Sequence, residues 1–370
     1  MPASGSPLPV TVSGAISEAI PPLHHDAVLA DKVHQAIRKG ANDLVRSFQT
    51  LESHSSLLQE GRLSERLQER LCLGGPEPLS PWLTLSYYRI GRHLAAGGDG
   101  RRLPVSLDDL IHQIEQAPPP GTVLAFGDRL VAPEHQWQSV LELFQEGGDF
   151  VADLVEPRLD DYVPLAAAIT EVRGLLRAID APLMALIDQL LPLAILALPG
   201  PQSRNEGLDF GGATSFFFRG GSFIHARANH TLATLLEVIV HEYAHAELFA
   251  LAQDEHLCGN GDGERHQVRI RSDPRPMNGI LHALHVSSRV VAVFDRLLAH
   301  GLPWRSDREP LLADITILQD QARSNGLSCL NAALRHGHLT PLGQAITRAA
   351  AHRLGTPLHP GALTTAPVDA

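Results

Sequence analysis

Cysteine is scarce and scattered: three residues, Cys72, Cys258 and Cys329, with no CxxC pair among them. That excludes a disulfide framework and a cysteine-based zinc knot, and it fits a reducing compartment. Charged residues make up only 19%, and no long Lys/Arg run accompanies the net charge of -11. Such a chain has little with which to hold a phosphate backbone or an anionic bilayer, so neither nucleic acid nor membrane is expected as a partner. No uninterrupted apolar run reaches bilayer length. The nearest, 181–199, contains Pro182, Asp188, Gln189 and Pro192, and reads as a buried helix followed by a short strand at 196–198. The first basic residue is Lys32, so the positive start of a signal peptide is missing and a cytoplasmic location is expected. There is also no P-loop, no GxSxG and no GxGxxG between a strand and a helix.

What is present is apolar material, 44% of 370 residues, which excludes a disordered chain and suffices for two or three domains or one large one. Residues 1–24 and 355–370 show no hydrophobic period and read as loose tails. Between them the pattern is mainly helical, with segments expected at 26–54, 62–72, 82–96, 106–117, 135–146, 163–179 and 181–191. After Gly200 the pattern changes. Thr214–Phe218 and Ser222–Ala226 read as a β-hairpin turning at Arg219-Gly220-Gly221. Asn229 is then a candidate N-cap for a helix from Thr231 to about Ala252, and further helices are expected at 277–300, 308–324 and 340–353. The fold class is therefore mainly α with a small β element (α+β). It divides into a helical region, 25–200, and a site-bearing region, 201–354.

The chemistry centres on His241-Glu242-Tyr243-Ala244-His245. Residues four apart share a helix face, so both imidazoles can meet one metal ion. The apolar flanks, Leu235 to Val240 and Leu248 to Leu251, make this a buried helix, where two histidines are costly unless used. The bland alternative is a chance pentapeptide with solvated or core histidines. A third ligand is needed. Leu248 and Leu251 stand where the metzincin extension requires glycine and histidine, which excludes that subclass. The helix at 277–300 has one acid, Asp295, about four turns along. Near its start it offers His282 and His285, with His282 the first choice and His285 the substitute; either is otherwise a capping or partly exposed histidine.

HEYAH, followed some thirty residues later by DPRPMNGILHALHV, resembles the HExxH-motif peptide-modification proteins of ribosomal-peptide biosynthesis. The resemblance covers about residues 205–300 and, more diffusely, the helical region before it. It implies an Fe(II)- and 2-oxoglutarate-dependent dioxygenase that hydroxylates a side-chain (β) carbon of a precursor peptide. Carried over by position, His241, His245 and His282 match the iron ligands. Arg275, with Arg271 second, matches the basic residues around the DPRP turn. This chain departs from the pattern at Ala283, where relatives carry glycine, and at His285, where an aromatic is common.

Three imidazoles leave open positions for a chelating co-substrate and oxygen. The far carboxylate of 2-oxoglutarate suits an arginine fork, and Arg275 sits between Pro274 and Pro276 on stiffened backbone; an ordinary exposed Pro-rich loop is the alternative. Glu242 separates two enzyme readings. In a zinc metallopeptidase with Zn(II) at the same site it is the general base; in the hydroxylase it orients a ligand or is a structural acid. A third, non-enzymatic reading makes the helical region a peptide-binding module beside a degenerate metal site. The hairpin edge would accept an extended peptide by β-addition, with Phe216, Phe217 and Phe218 alternating across it or packing in the core. Asn205, Asp209 and Arg219 are polar enough to meet a substrate. The Gly259–Gly263 run reads as a flexible loop with Cys258 a bystander, and homodimerisation is left open.

Overall fold

The computed structural model describes residues 24–73, 78–129, 132–146, 153–227, 230–299, 309–359 and 363. The expected N-terminal tail, the Asn229 cap and most of the C-terminal tail lie outside them. Five helices open the chain: α1 (His24–His54), α2 (Ser56–Gly61), α3 (Leu63–Leu73), α4 (Pro81–Ala95) and α5 (Leu107–Glu115). Helical spacing puts Leu44, Val45, Phe48 and Leu51 of α1 on one stripe, which buries against Leu67, Leu83, Ile90 and Leu110. There follow β1 (Thr122–Ala125), α6 (Glu134–Glu146), β2 (Leu154–Val155), α7 (Leu159–Ile179), α8 (Ala181–Leu190), β3 (Leu193–Pro199) and α9 (Pro201–Asn205). The remainder comprises β4 (Gly212–Thr214), β5 (Gly221–His225), α10 (Leu232–Leu251), β6 (Arg265–His266), β7 (Arg275–Pro276), α11 (Met277–Ala299), α12 (Glu309–His336) and α13 (Pro341–Arg353). The fold is mainly helical with a small sheet. No helix among the described residues is long and apolar enough to cross a membrane.

The sheet runs β1-β3-β5-β4, with β2 also pairing to β3. β1, β3 and β5 are parallel, registered Thr122↔Leu193 and Leu193↔Gly221, while β4 joins β5 antiparallel at Thr214↔Ser222. β3, with the sequence LAILALP, is covered on both faces, as parallel strands must be. Alternation sends Leu193, Ile195 and Ala197 toward Trp82, Trp137 and Phe223, and Leu196 and Leu198 toward α7, α8 and α10. The sheet draws strands from both sides of Gly200.

Three expectations need correction. The first hairpin strand ends at Thr214, and Phe216–Phe218 lie in the connection instead of alternating along a strand. The reason is steric. Phe218 is buried at 0% exposure under Gly221, where a Cβ would come within 2.1 Å of its ring, and Gly220 takes φ +95°. Second, the helix expected at 308–324 continues to His336, because Cys329, Leu330 and Ala333 extend its apolar stripe onto α11 and α13. Third, the glycine-rich loop is pinned: Asn260 donates to the His336 carbonyl and accepts from the His338 N–H, and Cys258 bridges Leu339.

Candidate metal centre

The site is built on α10. Thr231 caps it, its hydroxyl accepting from the Thr234 N–H. Leu235, Leu236, Val240, Tyr243 and Leu248 then bury its apolar sides, and it packs on α11, α1 and β4. The turn of the helix brings the His241 and His245 rings to 5.0 Å between centroids. From the second turn of α11, the His282 ring reaches 5.8 Å from that of His245. Imidazoles sharing one metal at about 2.1 Å from nitrogen have ring centres roughly 4.5–5.5 Å apart. The His241–His245 pair falls within that range, and the His245–His282 pair is slightly wider than it. In line with that slack, no group of three or more His, Cys, Asp or Glu side chains among the described residues is close enough to hold a metal ion.

The donors suit a metal chemically. Burial holds His241 and His245 below the usual histidine range and takes His282 down to about 4. All three imidazoles are thus neutral at pH 7 with lone pairs to give. Among the described residues their ring nitrogens make no hydrogen bond; a carboxylate oxygen, Glu237 Oε1, lies 3.9 Å from His241 Nδ1. Phe249 closes the other side, its ring 6.2 Å from His245 and 5.8 Å from His282. The His241 side chain is 42% exposed, which gives the cluster its opening to solvent.

Glu242 lies away from that opening, 3% exposed. Its Oε2 accepts from the Thr214 hydroxyl at 2.8 Å, and its Oε1 lies so near Gly212 that a Cβ there would approach to 2.6 Å. Burial pushes its pKa up to about 8, against the opposing pull of the Thr214 bond. It is paired with a threonine of the sheet and not with an arginine.

The two candidates for third ligand part company. His285 is fully buried and its Nε2 lies 2.8 Å from Glu247 Oε2. The same carboxylate takes Arg289 Nε at 2.7 Å and the Tyr243 hydroxyl at 3.1 Å. A second Arg289 nitrogen reaches its other oxygen. Arg289 and His285 hold the Glu247 carboxylate well below the usual range, overcoming its burial. His285 thus serves this network while His282 faces His245. Asp295 is likewise spoken for, by Gln319 and Arg323 of α12.

Arg275 sits in β7, two residues before α11, with its Nε 3.6 Å from Asp273 and its side chain 33% exposed. Arg271 is exposed and its carbonyl accepts from Gln267. Among the described residues no hydrogen bond or ion pair joins either of them to the histidine cluster. Asp209 lies 3.4 Å from His225, Asn205 ends α9, and the Arg219 guanidinium stacks 4.1 Å over Phe216. Sequence reasoning missed Glu237, which the four-residue helical spacing to His241 could have flagged. It also missed Glu247, whose partners His285 and Arg289 lie on another helix, beyond any local signal. No protein-family model matches the chain, and no curated protein matches it.

Proposed function

We propose that the chain is an Fe(II)/2-oxoglutarate-dependent dioxygenase that hydroxylates a side-chain carbon of a ribosomally synthesised precursor peptide. The observation that carries the metal site is the convergence of three neutral, unpaired imidazoles from α10 and α11. The oxygenase chemistry rests on the resemblance carried by HEYAH and DPRPMNGILH. When bound, iron with 2-oxoglutarate and dioxygen supplies the oxidising power that an unactivated C–H bond demands. His241, His245 and His282 would hold it through three nitrogens and leave the remaining positions open. Arg275, fixed between two prolines at the root of α11, would pair with the far carboxylate of the co-substrate, and Arg271 would share that role or face the peptide. Phe249 screens the cluster from water on the side opposite His241.

The zinc peptidase reading needs Glu242 as a free carboxylate facing the metal. Its carboxyl instead packs against β4, bonded to Thr214, with a pKa pushed up to about 8; that favours a supporting role. The deciding experiment is an anaerobic titration of the Fe(II)-loaded protein with 2-oxoglutarate, followed by visible absorption. A saturable charge-transfer band, lost in His282→Ala and Arg275→Ala and kept in His285→Gln, supports the proposal. Absence of the band, with Zn(II) retained and peptide cleavage abolished in Glu242→Gln, replaces it with the peptidase.

A further inference from the structure

Behind Phe249, on the side away from the histidines, lies a cavity of about 810 Å³ between α1, α4, α10 and the β4–β5 connection. Its size is that of a pocket for a ligand of drug-like dimensions. The walls are largely apolar and aromatic: Ile37, Leu190, Phe216, Phe218, Tyr88 and Phe249. One charged group in the wall stands apart. The Arg219 guanidinium lies over the Phe216 ring and spends its Nε–H on the Phe216 carbonyl at 3.3 Å. Among the described residues no carboxylate pairs with it. The two acids that share the cavity, Asp43 and Asp254, are each 2.7 Å from the Lys39 ammonium, and Asp43 also holds Arg46. Arg38 also lines the cavity and is itself exposed to solvent. Burial depresses the Arg219 pKa, but an arginine in a protein keeps its charge. A permanent, half-buried cation with no carboxylate in direct contact among the described residues, and only the longer-range pull of Asp43 and Asp254, has N–H donors to offer an anion.

We infer that this cavity binds an organic carboxylate with an apolar or aromatic body, the carboxylate on the free edge of Arg219 and the body against Phe216, Phe218 and Tyr88. The shared ligand chemistry has two sources, a free acid or an acidic residue flanked by apolar ones in a peptide. The inference deepens the proposed function, since a peptide so docked would lie one aromatic wall from the histidines. The binding itself needs no metal, so its test is independent of that reading.

The test is isothermal titration of the metal-free full chain with 3-phenylpropionate and with 3-phenylpropionamide, then with the blocked tripeptide N-acetyl-Phe-Asp-Leu-amide. The acid should bind about tenfold or more tightly than the amide, because only it pairs with the guanidinium. That preference should vanish in Arg219→Gln and persist, weakened, in Arg219→Lys. Competition by the tripeptide identifies a peptide as the source; binding of the free acid alone identifies a small molecule. Equal affinity for acid and amide, no binding of either at millimolar concentration, or acid binding undiminished in Arg219→Gln overturns the inference. Should Arg219→Gln not fold, the acid–amide contrast in the unaltered chain decides by itself.

Discussion

Helix α10 carries two sets of titratable side chains, and they differ in how completely they are partnered. On one side, His241, His245 and the incoming His282 stand 5.0 and 5.8 Å apart with no hydrogen bond to their rings among the described residues. One turn along, Glu247 takes hydrogen bonds from Tyr243, His285 and Arg289, all buried. The Glu247 set is bonded side chain to side chain, with only His285 Nδ1 left unpartnered, whereas the part-buried histidine set has no protein hydrogen bond to its rings among the described residues. The helix joins a clamp that fixes α11 to a gap that α11 helps to line. The clamp sets where His282 stands.

The largest expected effect breaks the clamp. Glu247→Gln removes the buried carboxylate that Arg289, 8% exposed, and His285 both bond, and should cost about 3–5 kcal/mol. Urea unfolding measures it; an unchanged midpoint would remove the clamp from the account. The contrast sharpens next in metal affinity. His282→Ala should weaken Co(II) binding by about 100-fold or more while barely changing stability, whereas His285→Gln should leave affinity unchanged and lower the unfolding midpoint. The reverse pattern would exchange the two roles.

Smaller effects follow. Gly212→Ala places a Cβ 2.6 Å from Glu242 Oε1 and 2.9 Å from Val238 Cγ1. An overpacked contact of this kind should cost about 1–3 kcal/mol, read by thermal unfolding. The last effect is one of pH dependence. Glu242 is held up at about 8 from an ordinary 4.5, so between those values the folded metal-free chain keeps a proton that the unfolded chain releases. Its contribution to stability is full below 4.5 and is lost as pH rises through about 8. The advantage of Glu242→Gln over the parent in melting temperature should therefore grow from pH 5 to pH 8. His282 acts in the opposite sense: held down at about 4 from 6.5, its contribution is present above 6.5 and lost as pH falls through about 4.

Much of this arrangement was legible in the sequence wherever the signal is local. Periodicity located α1, α4, α10 and α11 closely, and the HExxH spacing put two imidazoles on one face. The strands were harder. β1 and β2 are four and two residues long, too short to show a period. Phe216-Phe217-Phe218 carries strong strand propensity that the glycine turn and the packing of Phe218 override. Position in the motif already put His282 ahead of His285; what no local signal could show is that His285 bonds Glu247, 38 residues away. The cavity was invisible too, being assembled from α1, α4 and α10.

The parallel register of the sheet has a consequence for how the chain is made. Ala194 of β3 pairs with Ser222 of β5, which follows it in sequence. During synthesis, β1 and β3 emerge while the strand that covers the far edge of β3 is still within the ribosome. For that interval the most apolar strand of the sheet presents an unpaired edge to whatever else is nearby. A translational pause between Gly200 and Gly221, or a chain cut short there, would prolong that exposure. Solubility of nascent fragments should therefore be lowest in this interval and recover once β5 has left the exit tunnel.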